Sequence, residues 1–108
     1  MKVHLINLTI IRYIMQVQQC GIPVSFALFY GSYARERQHK WSDIDVVVVS
    51  AAFDGEINAK DVNTLWRITG RIDSRIEPVA CGLKQWSEDT SSMIIEIARR
   101  EGQCIQAA

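Results

Sequence analysis

GSYARERQHKWSDIDVVVVS, residues 31–50, is the stretch on which the fold turns. Val46, Val47, Val48 and Val49 are β-branched and stiff at χ1, and they read as a strand buried on both faces. Side chains alternate along a strand, so Asp43 and Asp45 share one of those faces. Two carboxylates held side by side either raise each other's pKa or share a cation, and Mg²⁺ is the hard, oxygen-seeking ion that suits such a pair. Immediately upstream, PVSFALFY (residues 23–30) reads as another strand that runs into Gly31 and Ser32, and a short helix can begin at Tyr33. That outline fits a phosphate cradle. Glycine has no Cβ, so its N–H can come close to a phosphate, the serine hydroxyl can donate, and a helix start supplies further free N–H groups.

Around this stretch lie 108 residues, enough for one domain spanning 1–108, and a 48% apolar share suffices for its core. Twelve basic and twelve acidic residues cancel. A chain without a broad positive field is not built to track nucleic acid, so direct nucleic-acid binding is not expected. The cysteines at 20, 81 and 104 are odd in number, far apart and in apolar contexts, which predicts buried, reduced thiols and a cytoplasmic location. Asn7, Arg12 and Gln16 interrupt the apolar N-terminal stretch, no small-residue cleavage site follows, and no stretch is long enough to span a membrane.

Apolar residues Leu5, Leu8, Ile11 and Met15, with Ile10 and Ile14 beside them, predict a helix over residues 5–20 that covers one face of a sheet. Gly21 and Pro23 stop it. The apolar density of residues 23–30 predicts a central strand. After the valines, residues 51–55 read as a loop, and Val62, Leu65, Ile68 and Ile72 mark a second helix, with Trp66 in the core or at its rim. RIEPVAC, residues 75–81, reads as an edge or bulged strand because of Pro78. Glu77 stands alone there among apolar neighbours, either solvated and paired with Arg75 or facing something positive. A last helix, capped by Ser91 or Ser92, carries Met93, Ile94, Ile97 and Ala98 and ends at Arg99, Arg100 and Gly102. It should close the other face of the sheet, with Cys104 and Ile105 adding an edge strand or trailing away. The elements add up to an α/β fold with a small mixed sheet of about three to four strands flanked by helices.

Tyr30, Gly31 and Ser32, then ten residues, then Asp43-Ile44-Asp45 resembles the nucleotidyltransferase superfamily, which includes the DNA polymerase beta palm and kanamycin nucleotidyltransferase. The nearer likeness is to its minimal, stand-alone members, whose Gly-Ser-x-Ala-Arg-Gly turn Gly31, Ser32, Ala34 and Arg35 match, with Glu36 in place of the final glycine. The resemblance implies a palm-like fold in which Asp43 and Asp45 hold two Mg²⁺ ions. It places a third acid on the strand after the next helix, where Glu77 stands in place of the commoner aspartate and Asp73 is the fallback. Gly31, Ser32 and Arg35 would bind the triphosphate of ATP. Arg37, His39 and Lys40 read as solvated surface charge.

The implied reaction is transfer of AMP from ATP to an acceptor hydroxyl. Larger members carry an extra helical domain for the acceptor, and this sequence has no room for one. The resemblance therefore implies the antitoxin of a toxin-antitoxin pair, in a homo- or hetero-oligomer, whose partner is a helical HEPN ribonuclease subunit modified on a tyrosine. Glu36 and Glu77 leave open a non-catalytic nucleotide-binding or partner-binding module. Transfer to a small molecule of the aminoglycoside type is the third reading.

Overall fold

In the computed structural model, which describes residues 2–30, 43–88 and 92–106, the valine run is strand β2 (Ile44–Val49). It pairs antiparallel with β1 (Phe26–Tyr30) and parallel with β3 (Ile76–Cys81). A short β4 (Gln103–Gln106) adds antiparallel to the far side of β1, giving a four-stranded mixed sheet in the order β3-β2-β1-β4. The two most apolar strands are the central ones, and Pro78, which has no N–H for a ladder, sits on the edge strand. A parallel pair needs a crossover, which here contains a 3₁₀ turn (Ala51–Phe53) and α2 (Ala59–Ile72).

One face of the sheet packs against α1 (Lys2–Gln19) and α2. Ile44, Val46 and Val48, with Ala27, Phe29 and Ile76, meet Ile6, Ile10, Tyr13, Ile14 and Val17 of α1 and Leu65 and Ile68 of α2. Each such aliphatic side chain contributes about 1.5–3 kcal/mol by leaving water. The fully buried Tyr13 hydroxyl donates to the Leu65 carbonyl at 2.8 Å and fastens the two helices together. At the end of α1, Gly21 takes φ 95°, a conformation most side chains avoid.

The other face carries Leu28, Val47, Val49 and Cys81 against Ile95 and Ala98 of α4 (Met93–Glu101). A short α3 (Leu83–Glu88) precedes α4 and brings Trp86 edge-on to Phe26, with centroids 5.7 Å apart. Arg99 of α4 lies over the Trp86 ring, and its Nε donates to the Trp86 carbonyl at 3.0 Å, tying α4 to the end of α3. Ser92 is the cap of α4, its hydroxyl accepting from the Ile95 N–H at 3.4 Å.

Several expectations change. The first strand begins at Phe26 rather than Pro23, although Ser25 N–H already donates to the Val49 carbonyl at 2.9 Å. Residues 51–53 form a 3₁₀ turn rather than loop, because the buried Ser50 hydroxyl accepts from Ala52 N–H at 3.0 Å and Phe53 plugs into the core. Helix α3 carries too short an apolar pattern to announce itself. Cys81 is buried, but Cys20 and Cys104 are exposed thiols. Trp66 keeps to the expected rim, about half exposed. Finally, the stripe Leu8, Ile11 and Met15 faces solvent, and the core side of α1 is Ile6, Ile10, Tyr13, Ile14 and Val17. No helix among the described residues is long and apolar enough to cross a membrane.

Candidate active site

Three strands deliver one residue each to the same row: Tyr30 of β1 is the register partner of Asp45 on β2, which is the partner of Glu77 on β3. Register partners project to the same face, and Asp45 alternates with Val47 and Val49 on the side that α4 covers. The carboxylates therefore stand on the sheet face opposite α1 and α2. Asp43 lies two residues ahead of Asp45, just before β2, and the Ile44 N–H donates to the Arg75 carbonyl at 2.8 Å, so the parallel pairing is locked where the acids emerge.

The electrostatics report an excess of negative charge. Glu77 is pushed up to about 7, first because its carboxyl shares a hydrogen bond with Asp43, then by partial burial and by the charges of Asp43 and Asp45. Half-buried Asp45 is raised by desolvation and by Asp43. Tyr30 is raised by burial, then by Asp45 and Glu77. All of these shifts have the sign that a cation at this place would reverse. Hard carboxylate oxygens gathered on one face are a donor set that fits Mg²⁺. Among the described residues no three acidic, histidine or cysteine side chains stand close enough to cage an ion as they are.

Asp73 is not part of this cluster. It caps α2, and its carboxylate accepts from the Arg75 backbone N–H and Nε at 3.0 Å and pairs with the guanidinium at 2.6 Å. That pairing lowers the Asp73 pKa and holds the Arg75 guanidinium against Asp73. Gly31, Ser32 and Arg35 lie outside the described residues, as do Glu36, Arg37, His39 and Lys40. The chain leaves β1 at Tyr30, directly across from Asp45, and re-enters at Asp43, so both ends of that segment are at the acidic row. Tyr30 as a neighbour of the acids was not legible in the sequence, because its proximity depends on the β1–β2 register.

The sequence matches the nucleotidyltransferase domain family over residues 11–101. Among solved structures, a protein from Sulfolobus solfataricus described as a nucleotidyltransferase superposes with a TM-score of 0.61 at 17% identity, covering 80% of this chain and 75% of that one. A toxin-antitoxin with AMP-PNP gives 0.62 at 19% identity over 91% of this chain and 73% of that one. A variant of the toxin-antitoxin MntA-HpeT gives 0.58 at 23% identity over 88% and 70%. At these identities the likeness is one of fold. No curated protein matches the chain.

Proposed function

The chain belongs to the nucleotidyltransferase domain family, and on that premise we propose that it transfers AMP from ATP to a hydroxyl of a helical HEPN-type toxin, as the antitoxin of the pair. The observation that carries the reading is the gathering of acids on one sheet face, with Asp45 and Glu77 in register across β2 and β3 and Asp43 two residues ahead of Asp45. Two solved neighbours of the same fold are toxin-antitoxin assemblies, one holding AMP-PNP, which supports both the partner class and the adenine nucleotide.

In this proposal Asp43, Asp45 and Glu77 would hold Mg²⁺, which when bound neutralises the triphosphate and the departing pyrophosphate. Gly31 and Ser32 bind the β and γ phosphates through backbone N–H and hydroxyl, and Arg35 adds a bidentate guanidinium. The acceptor oxygen bonds to the α-phosphorus as the bond to pyrophosphate breaks, and Glu77 completes the site at which the acceptor loses its proton. Much of the catalysis then lies in placing the α-phosphate in line with the attacking oxygen.

A second reading, a nucleotide-binding module without turnover, draws on the two departures from the family pattern, Glu36 in place of glycine and Glu77 in place of aspartate. One experiment separates the two. The chain is co-expressed with the toxin it accompanies, and the toxin is weighed by mass spectrometry with wild type and with Asp45→Asn. Addition of AMP units only with wild type supports transfer. An unmodified toxin in a reaction where ATP and Mg²⁺ are shown to be bound leaves the binding module.

A further inference from the structure

Helix α1 is apolar on both sides. Its inner side fills the core, while Leu8, Ile11 and Met15, spaced three and four apart, stand 47%, 39% and 51% exposed on the outer side. A surface helix normally turns polar residues outward, so three large apolar side chains aligned on an outer face mark a surface that a partner can cover. Arg12, exposed and without a hydrogen-bond or ion-pair partner among the described residues, is the cation beside this stripe. It lines a cleft of about 220 Å³ with Met15, Gln16, Gln19 and Ile72 at the seam between α1 and α2, and no carboxylate lines that cleft. Residues 2–19 contain no acid at all, although the whole chain is charge-balanced.

We propose that the outer face of α1 is a docking site for an acidic amphipathic helix of another protein, which lays apolar side chains along Leu8, Ile11 and Met15 and a carboxylate against Arg12. The spacing fits a helix, since apolar residues repeating at three and four present one ridge to such a partner. Charge decides between occupants. A second copy of this chain seated antiparallel on the same stripe would press two Arg12 guanidinium groups together in a desolvated seam with no acid on either α1 to offset them. The site lies on the sheet face opposite Asp45, so docking leaves the acidic row open, and the inference does not depend on nucleotide transfer.

Methyl-labelled methionine NMR on the full chain tests it, with Met15 on the stripe and Met93, 76% exposed on α4, as the internal control. The probes are two synthetic amphipathic helices with the same leucine stripe, one flanked by glutamates and one by lysines. The acidic helix should shift Met15 and leave Met93 unmoved, and it should bind about tenfold tighter than the basic one. Arg12→Glu should reverse that preference. Leu8→Ser should weaken both peptides, with helicity by circular dichroism unchanged. Equal affinities, a shift at Met93 in place of Met15, or no binding at millimolar peptide overturns the proposal. So does concentration-dependent dimerisation that Ile11→Glu abolishes, which would give the face to a second copy.

Discussion

Asp45 and Glu77 are register partners across the parallel β2–β3 pair, so their carboxylates leave the sheet side by side, with Tyr30 next in the row on β1. Asp45 is raised by desolvation and by the charge of Asp43, and Glu77 by its carboxyl's interaction with Asp43, by partial burial and by the charges of Asp43 and Asp45. The pair is a cost to the fold that a bound cation would relieve.

Asp45→Asn should therefore separate stability from activity. Removing a half-buried charge with a raised pKa relieves repulsion, so the urea midpoint at pH 7 without divalent cation should be no lower than that of wild type. AMP transfer, followed with labelled ATP, should fall by about a hundredfold or more. Retention of full transfer would remove Asp45 from the proposed chemistry.

Glu77 gives the pH dependence its sign. Its folded pKa of about 7 lies above its ordinary 4.5, so between those values the folded state holds the proton more tightly than the unfolded state. Stability without cation should thus be fullest below pH 4.5 as far as this group is concerned, and should decline as pH rises toward 7. Denaturant midpoints measured across that window should show the decline in wild type, less of it with Mg²⁺ present, and little of it in Glu77→Gln.

Asp73 behaves in the opposite way. Its pKa is lowered, chiefly by the hydrogen bond from Arg75, so it stabilises the fold above pH 3.8 and that contribution disappears as pH falls through the depressed value. Because the pair is partly exposed, Asp73→Asn should cost only about 1 kcal/mol at pH 7. Transfer should be unchanged when stability is matched by temperature. A large loss of transfer would make Asp73, and not Glu77, the third acid.

Tyr13→Phe should cost about 1 kcal/mol in chemical denaturation, because the Leu65 carbonyl loses a buried donor in the seam between α1 and α2. Transfer should persist, since the seam is on the sheet face away from the acids.

Gly82→Ala tests the junction between β3 and α3. A Cβ there would meet the Asp54 carboxylate and stand 2.9 Å from the Phe53 carbonyl oxygen, which is backbone and cannot swing away. We expect a loss of about 1–3 kcal/mol, read as a lowered thermal midpoint.

The sequence by itself determined the sheet, because four consecutive β-branched valines have no comparable place in a solvent-facing helix, and it determined that Asp43 and Asp45 share a face, because that follows from the two-residue period of a strand. It also located Pro78 on an edge. Tertiary structure decided between the two candidates for the third acid: the β2–β3 register brings Glu77 to Asp45, while the Arg75 guanidinium takes Asp73 away. It decided the direction α1 faces as well. Ile6, Ile10, Tyr13, Ile14 and Val17 on one side and Leu8, Ile11 and Met15 on the other give periodicity two apolar answers. Only packing against β1, β2 and α2, sealed by the Tyr13 hydroxyl, chooses between them.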